Sequence, residues 1–297
     1  MRDKKRIIIL GSTGMLGSEV LKVFLDSKRY RIFASIRNQK QKKNFKLNNL
    51  NEITFFKFDA RIDNVEKLKK YITKNTIIIN CIGIIKPEIN ETKQDSVYNA
   101  IKINSTFPHQ LHKRFEKNKI YQIATDCVYS GKKGLYNEND IHDAEDIYGK
   151  SKSLGEVNSK NFYNIRTSII GKELNSIKSL YEWFLSQKEK SKLNGFKNHS
   201  WNGLTTNAFA KVIISIIQNK IYLPPNIHVM PNDIINKYEM LNIFKKKTKK
   251  NINIKSITAE KRINRTLSTM YPSIVKKIWL GTEYKRVPNL KDLILEF

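Results

Sequence analysis

Short, continuously apolar runs alternate with amphipathic stretches through the first half of the chain. The apolar runs are rich in Ile and Phe and do not alternate with polar residues, which is typical of parallel strands covered by helices on both faces. This pattern predicts six strands, at Arg6–Leu10, Arg31–Ile36, Ile53–Phe58, Thr76–Cys81, Ile120–Ala124 and Phe162–Arg166.

Helical periodicity marks the stretches between these runs. In the first of them, Leu16, Val20 and Phe24 recur on one helical face. The alternation of strands and helices predicts the α/β fold class, with a Rossmann-type doubly wound parallel sheet over residues 1–170. The helices predicted in this half are Met15–Asp26, Asn64–Ile72, Asp95–Phe115 and Ile147–Ser159.

The rhythm changes after Arg166, and residues 171–297 are predicted to form mainly a smaller C-terminal lobe. No repeat or linker separates them, so we expect this lobe to pack on the first domain. Asn194–Thr206 is predicted to be an irregular loop. The elements predicted here are helices at Ser176–Gln187, Asn207–Gln218, Lys237–Lys247 and Leu290–Leu295, and strands at Ile227–Val229 and Ile252–Ile257.

Three glycines join the first predicted strand to the first predicted helix. A glycine turn at this place lets the backbone approach a pyrophosphate, and the helix N-terminus offers free N–H groups and a partial positive charge. The GxxGxxG spacing also fits an ordinary strand–turn–helix corner, but its position in the first strand–helix unit favours a dinucleotide. The residues of this turn that we expect to contact the cofactor are Gly11, Thr13, Gly14, Met15, Leu16 and Gly17.

The end of the second strand bears on the choice between NAD and NADP. An acidic residue there would hold the ribose 2′-hydroxyl of NAD, but this segment, "ASIRN", contains Ser35 and Arg37 and no acid. A guanidinium offers a planar fork of donors to a 2′-phosphate, so NADPH is expected and NADH stays an alternative. A solvated loop arginine is the competing interpretation of Arg37. Further cofactor contacts are expected after the next two strands, at Asp59, Ala60, Cys81, Ile82 and Gly83.

A tyrosine and a lysine four residues apart lie on the predicted helix that contains "YGKSK". On one helical face, the Lys152 ammonium is expected to lower the pKa of the Tyr148 phenol from about 10 toward neutral pH. Such a phenol can give a proton to a carbonyl oxygen while a hydride reaches the carbon. Thr125, at the carboxyl end of the fifth strand, could hydrogen-bond the same oxygen. An exposed helix face is the competing interpretation of this pair.

Several segments resemble a known family in the order expected for it. The segments "GSTGMLG", "NCIGIIKPE", "KINSTFPHQL", "ATDCVYSG", "IYGKSKSLGE" and "NIRTSIIG" resemble the extended short-chain dehydrogenase/reductase family, most closely its dTDP-4-dehydrorhamnose reductase branch. The resemblance is dense from Ile7 to Gly171. It implies an NAD(P)-binding Rossmann domain, a C-terminal lobe that binds a nucleotide sugar, and a catalytic Thr–Tyr–Lys set. That set corresponds to Thr125, Tyr148 and Lys152.

The residues after Thr125 separate two activities within this superfamily. Sugar-nucleotide 4,6-dehydratases carry Asp-Glu there, whereas this chain has Asp126 and Cys127. The resemblance therefore implies an NADPH-dependent reductase of a 4-keto nucleotide sugar, with Tyr148 as proton donor, in deoxysugar or polysaccharide precursor biosynthesis. An epimerase of the same family and a non-catalytic Rossmann binding subunit stay open as alternatives. Cys127 replaces an aromatic residue common in rhamnose-type reductases, which leaves the sugar open.

A nucleotide sugar brings a diphosphate whose negative charges must leave bulk water. This desolvation is costly unless cations or N–H donors meet the phosphates. We therefore expect substrate contacts at Lys86, which follows the fourth strand, at Asp126, and at Arg265 in "INRTLS". A solvated residue in a lysine-rich segment is the competing interpretation of Arg265.

The net charge of +28 in 297 residues is the strongest feature of the composition. The lysines are spread along the chain, however, and the real clusters are short, at Lys40–Lys46 and Lys245–Lys250. Neither cluster has the interleaved aromatic residues of a single-strand binding surface or matches a DNA-reading motif. Nucleic acid is therefore not an expected partner, and an anionic small molecule is. A homodimer is left open.

The apolar runs, the cysteines and the histidines bear on the cellular compartment and on metal binding. No apolar run is long enough to cross a bilayer, and the first one ends at Gly11, so no membrane partner is expected. Cys81 and Cys127 fit reduced thiols better than a disulfide framework, which predicts a cytoplasmic protein. The five histidines are scattered, so no metal site is expected.

Overall fold

The computed structural model describes residues 4–174 and 177–297. Its centre is a seven-stranded sheet in which every pair of neighbours is parallel. The strands are β1 (Lys5–Leu10), β2 (Tyr30–Ile36), β3 (Ile53–Lys57), β4 (Ile77–Asn80), β5 (Ile120–Ala124), β6 (Phe162–Arg166) and β11 (Asn226–His228). Their order is β11-β6-β5-β4-β1-β2-β3, which confirms the predicted α/β class and Rossmann-type sheet.

Both faces of the sheet are buried, as the continuous apolar runs require. Along β1, Ile7 and Ile9 pack into one hydrophobic cluster and Ile8 and Leu10 into another on the opposite face. All four side chains are completely buried, and each such burial stabilises the fold by about 2 kcal/mol.

The helices of the first half cover these two faces. They are α1 (Met15–Asp26), α2 (Gln94–Ile101), α3 (Phe107–Arg114) and α4 (Ile147–Leu154). A π-helical turn at Lys102–Thr106 joins α2 to α3, so the region predicted as one helix is a single helical stretch with an irregular turn.

Two helix predictions in this half are wrong in extent. The helix predicted at Asn64–Ile72 is only a 3-10 turn at Val65–Leu68, whose start the Asn64 side chain caps. Helix α4 ends at Leu154 rather than at Ser159. Gly155 follows it in close contact with the π-helical turn, because a Cβ there would lie 1.8 Å from the Asn104 carbonyl oxygen.

The second half contains more strands than the sequence pattern indicates. The region predicted as an irregular loop over Asn194–Thr206 instead contributes β8 (Lys192–Phe196), β9 (His199–Trp201) and β10 (Leu204–Thr205). Each pairs with a distant segment, so local periodicity could not reveal it. Their partners are β13 (Asn253–Ile257) for β8, β12 (Ile235–Asn236) and β14 (Ile263–Asn264) for β9, and β7 (Ile169–Ile170) for β10.

Five helices complete the described part of the second half. They are α5 (Leu180–Ser186), α6 (Thr206–Gln218), α7 (Lys237–Thr248), α8 (Pro272–Leu280) and α9 (Leu290–Glu296). The pattern missed α8. The predicted start of α5 at Ser176 lies outside the described residues.

Part of the chain beyond residue 170 belongs to the central sheet. Strand β11 pairs with β6 as the seventh strand, and α6 packs on α1. The smaller lobe has its own core, which includes Tyr181, Phe184 and Phe244. The domain boundary at residue 170 stays a prediction. Beyond that residue, β11 joins the central sheet and α6 packs on α1 beside it.

Membrane-spanning helices are absent from the part of the chain that the structure describes, because no helix there is both long and apolar enough.

Candidate active site

The predicted cofactor and catalytic residues lie together at the carboxyl ends of the parallel strands. This is the end at which open α/β sheets bind ligands. The glycine turn follows β1, Ser35 lies near the end of β2 and Arg37 follows it, Asp59 and Ala60 follow β3, Cys81, Ile82 and Gly83 follow β4, Thr125 and Asp126 follow β5, and Tyr148 and Lys152 lie on α4.

The glycine turn is packed too closely for larger residues. Gly11 has φ +79°, which favours glycine. A Cβ at Gly17 would lie 2.1 Å from the Gly11 carbonyl oxygen, and Gly14 N donates to that oxygen at 3.1 Å. The N-cap residue of α1 is Gly14, so no side chain caps the helix there, and the first turn of α1 contains no acidic residue. The turn therefore fits a pyrophosphate approaching the start of α1.

Ser35 and Arg37 take different positions at the end of β2. Ser35 is buried, and its hydroxyl accepts a hydrogen bond from Gly11 N at 2.8 Å, so it holds the glycine turn in place. Arg37 is exposed. The nearby carboxylate of Asp59 is engaged by Arg61, whose Nε and Nη2 donate to it at 2.9 and 2.5 Å, and the pKa of Asp59 is lowered mainly by that hydrogen bonding. The charge of Arg37 also acts on Asp59 and contributes to the lowering of its pKa.

The segment after β4 lies between the glycine turn and α4. A Cβ at Gly11 would lie 3.0 Å from Ile82 Cγ1, and a Cβ at Gly83 would lie 4.0 Å from Lys152 Nζ. Burial raises the pKa of the Cys81 thiol to about 12, so this thiol is neutral near pH 7. These contacts place the predicted cofactor residues beside the predicted catalytic lysine.

Helix α4 docks directly on the segment after β5. A Cβ at Gly149 would lie 2.2 Å from the Cys127 carbonyl oxygen, so only glycine permits this approach. Asp146 caps the helix by accepting a hydrogen bond from Gly149 N at 2.8 Å. This docking brings the Thr125 side chain close enough to the Tyr148 phenol to act on its pKa.

The electrostatics of the Tyr–Lys pair differ from the sequence expectation. Burial raises the pKa of Tyr148, with contributions from neighbouring acidic groups, and burial lowers the pKa of Lys152 to about 8. Lys152 Nζ donates to the Ile123 carbonyl oxygen at 2.7 Å. The pKa of the phenol is therefore raised rather than lowered toward neutral pH, because desolvation is its largest cause. A neutral phenol is nevertheless the form that can donate a proton.

The three predicted substrate residues converge on the start of α4. Lys86 Nζ donates to Asp146 Oδ2 at 2.7 Å, and Arg265 Nε donates to the Tyr129 carbonyl oxygen at 2.8 Å. The charge of Arg265 acts on both Asp126 and Asp146. Asp126 is buried, and burial raises its pKa against the pull of Arg265.

Lys237 is a site residue that the sequence analysis missed. It is the first residue of α7, and burial lowers its pKa while the charge of Asp126 opposes this shift. It lines a cavity of about 170 Å³ together with Trp183, Phe196 and His199. No motif could have identified it, because it is one of 55 basic residues and the fold alone brings it to Asp126.

Asn104 is a second missed residue, in a segment used only for the resemblance. Its amide donates to the Ile84 carbonyl oxygen at 3.0 Å and to Ser151 Oγ at 3.1 Å, and its Oδ1 accepts from Ile84 N at 2.9 Å. It therefore clamps the segment after β4 to α4.

A network of buried polar side chains lies next to the site and connects the strands that carry it. Arg166 donates to both Glu156 oxygens at 2.8 and 2.6 Å and to the Tyr129 hydroxyl at 3.1 Å. His228 Nδ1 lies 2.8 Å from the Ser268 carbonyl oxygen, so this nitrogen carries the proton, and Nε2 accepts from Arg166 at 3.0 Å. The network ties β6 and β11 to the segment after β5.

No cluster in the described ranges has three side chains of the types that bind metals. His109 Nε2 instead lies 2.8 Å from the Leu154 carbonyl oxygen.

Curated relatives match part of the chain. A dTDP-4-dehydrorhamnose reductase from Aggregatibacter actinomycetemcomitans is 26% identical over 152 residues, covering 51% of this chain and 45% of the relative. The methionine adenosyltransferase 2 subunit beta of Danio rerio is 26% identical over 152 residues, covering 51% of this chain and 42% of the relative. These matches thus span less than half the length of either relative.

A solved structure and a family model match more of the chain. The dTDP-4-dehydrorhamnose reductase of Bacillus anthracis, solved in complex with NADP, aligns with a TM-score of 0.74 and 18% identity over 99% of both chains, which shows a shared fold. The model of the family described as "RmlD substrate binding domain" matches residues 5–276. With the glycine turn and the Thr–Tyr–Lys residues at one edge of the sheet, this match shows that the chain belongs to the RmlD substrate binding domain family.

Proposed function

We propose that this protein is an NADPH-dependent reductase of a nucleotide-linked 4-keto sugar. The observation that supports this best is the approach of Thr125 to the Tyr148 phenol on helix α4, with Lys152 next to Gly83. A relative and a solved structure named dTDP-4-dehydrorhamnose reductase support the same activity. They make a dTDP-linked 4-keto sugar the first substrate to test.

The residues at the carboxyl end of the sheet fit NADPH. Gly11, Gly14 and Gly17 leave room for the pyrophosphate against the start of α1, and we expect the exposed Arg37 to contact the 2′-phosphate. Lys152 contacts the same region beside Gly83. When bound, the nicotinamide supplies the hydride for the reduction.

The protein's own residues supply the proton and hold the carbonyl group. The Tyr148 phenol gives its proton to the carbonyl oxygen as the carbon is reduced, which leaves an alcohol and a phenolate. In this structure the Thr125 hydroxyl donates to Asp126 Oδ1 at 3.2 Å, and in the substrate complex we expect it to donate to the carbonyl oxygen instead. Lys152, with a pKa of about 8, is mostly an ammonium near pH 7 and stabilises the phenolate until solvent returns the proton.

The nucleotide diphosphate requires cations at the mouth of the site. Lys86 and Arg265 flank Asp146 there, and Lys237 lies beside Asp126. The cavity next to Lys237 contains Trp183 and Phe196, whose rings suit a nucleobase. We therefore assign the base and diphosphate to the surface between α4, α7 and the segment around Arg265.

A panel of nucleotide-linked 4-keto sugars tests this function. The full chain is incubated with NADPH and each sugar, starting with dTDP-4-dehydrorhamnose, and NADPH absorbance is followed. Stoichiometric loss of NADPH with formation of the 4-hydroxy sugar is expected, and Tyr148→Phe should abolish it. Binding of NADPH with no turnover of any sugar would contradict the proposal, and interconversion of sugars without net NADPH loss would indicate an epimerase.

A non-catalytic subunit is a second candidate function. It is favoured by the relative named as subunit beta of methionine adenosyltransferase 2, whose match is as similar as that of the reductase. Under this function the chain would bind NADPH without turnover and would co-purify with a methionine adenosyltransferase. The chain keeps Thr125, Tyr148 and Lys152 at the carboxyl end of the sheet, so we rank it second.

A further inference from the structure

A strongly basic cleft lies at the end of the sheet opposite the candidate active site. It has a volume of about 620 Å³ and is formed where β1, β2 and β4 begin and where the chain enters β5. Seven of its lining side chains are basic, those of residues 4–6, Arg31, Lys74, Lys117 and Lys119. The proposed reductase function uses none of them.

The described lining of the cleft contains no acidic residue, although the composition of the whole chain would predict some. The chain has 55 basic and 27 acidic residues, so about two acids would be expected among seven charged lining residues. Among the described residues that line it there are none. Likewise, across residues 4–174 and 177–297, no carboxylate forms an ion pair with these seven cations. Among the described residues that line the cleft, nothing with a negative charge offsets their mutual repulsion, and an external anion would relieve it.

The backbone beneath the lysines is held in one arrangement. Thr76 N donates to the Thr73 carbonyl oxygen at 2.9 Å, which closes a turn around Lys74. The buried amide of Asn118 donates to the carbonyl oxygens of Thr73 and Thr76 at 2.8 and 2.7 Å. Because Asn118 lies between Lys117 and Lys119, these bonds fix two basic segments side by side.

Two arginines form the other wall of the cleft. Arg6 donates to the Tyr71 carbonyl oxygen at 3.2 Å, and its guanidinium carbon lies 4.7 Å from the centre of the Phe33 ring. The guanidinium of Arg31 lies 5.4 Å from the centre of the same ring. The ring keeps both guanidiniums near the cleft and is itself buried, so it offers no free surface for a nucleobase.

We propose that this cleft binds a small polyphosphate anion, either a nucleoside triphosphate or inorganic polyphosphate. Lysine ammoniums and guanidinium forks are the side chains that recognise phosphate oxygens, and the volume lies within the usual range of small-molecule sites. Single-stranded nucleic acid fits less well, because its binding surfaces stack bases on exposed aromatic rings. The ligand differs from the proposed substrate, since the two sites lie at opposite ends of the sheet.

Calorimetric titration of the full chain with inorganic tripolyphosphate tests the proposal. Titrations with ATP and with a twelve-residue oligothymidylate complete the set, all with NADPH present to fill the proposed cofactor site. The test variant is Lys74→Glu/Lys119→Glu. The control is Lys188→Glu/Lys246→Glu, which makes the same change of net charge at two exposed lysines outside the cleft. Circular dichroism and NADPH binding confirm that both variants are folded.

One tripolyphosphate per chain is expected, with affinity lowered about tenfold in the test variant and little changed in the control. Equal binding of ATP and tripolyphosphate would support recognition of the phosphate chain alone, and tighter binding of ATP would support a nucleoside triphosphate. Equal weakening in the two variants would mean that overall charge attracts the anion, and the proposal would fail. Tighter binding of the oligothymidylate, lost in the test variant, would overturn it in favour of a nucleic-acid surface.

Discussion

The two ends of the parallel sheet use charge in opposite ways. At the carboxyl end, Lys152 and Asp126 are buried and Lys237 is half-buried. Desolvation lowers the pKa of both lysines and raises that of Asp126, so it favours the neutral form of each. At the amino end, Lys74 and Lys119 are exposed to solvent. The first arrangement suits proton transfer at one fixed place, and the second suits attraction of a multiply charged anion.

The architecture of the sheet accounts for this difference. In a doubly wound fold the N-termini of the helices lie at the carboxyl end of the sheet and present N–H groups there, as α1 does at the glycine turn. The C-termini of the helices lie toward the amino end, where their partial negative charge favours basic residues. The last turn of α3, for example, contains Lys113 and Arg114. The same fold therefore supports a buried reaction site at one end and collected positive charge at the other.

Removing the phenol hydroxyl is the most severe test of the carboxyl end. Tyr148→Phe should lower kcat by about 10²- to 10⁴-fold, because only the proton donor is lost. NADPH affinity, measured by calorimetry, should change little. A variant that keeps full activity would remove Tyr148 from the mechanism.

Filling the glycine turn should remove cofactor binding without touching the phenol. Gly17→Ala places a Cβ 2.1 Å from the Gly11 carbonyl oxygen, so the backbone must shift. We expect NADPH affinity to fall at least about tenfold and the free energy of unfolding to fall by about 1–3 kcal/mol. Gly14→Ala is the matched control, since its Cβ would lie 3.4 Å from the same oxygen. Equal effects of the two substitutions would contradict the structural explanation.

The pH profile tests whether burial tunes Lys152. Because its pKa is about 8, kcat/KM should fall as pH rises through 8 and the ammonium that stabilises the phenolate is lost. In Lys152→Arg the charge persists, so whatever activity remains should not fall at that pH. A profile that stays flat to pH 9.5 in the unchanged protein would refute this assignment.

The lowered pKa of Lys152 also predicts how the free energy of unfolding changes with pH. The pKa of Lys152 is lower in the folded chain than its ordinary value of 10.5, so the unfolded chain binds more protons between pH 8 and 10.5. The contribution of Lys152 is therefore least favourable below pH 8 and improves as pH rises through that window. Denaturant titrations of Lys152→Met should lack this improvement.

The smallest expected effect concerns the choice of cofactor at the exposed edge of the site. Arg37→Asp should weaken NADPH binding by about 1–3 kcal/mol through loss of a charge-assisted contact and should favour NADH. Part of this effect should persist at 0.5 M salt if Arg37 contacts the 2′-phosphate directly, since screening acts most strongly on distant charges. Equal use of NADPH and NADH before and after the change would make Arg37 a surface residue.

Local sequence determined much of this protein. Continuous apolar runs predicted six strands of the central sheet within two residues at each end. The spacing of Gly11, Gly14 and Gly17 and the Tyr148–Lys152 pair could be read directly, because a turn or a helix of known period places such residues together. The position of Thr125 followed from its place just after a strand.

Tertiary structure decided what depends on distant partners. Strands β8 to β10 exist only because remote segments pair with them, and β11 joins the main sheet through β6. Lys237 reaches Asp126 across more than a hundred residues, and the basic cleft collects segments from four parts of the chain. The raised pKa of Tyr148 also could not be read from spacing. Burial and charge proximity are properties of the packed molecule, whereas periodicity is a property of the chain.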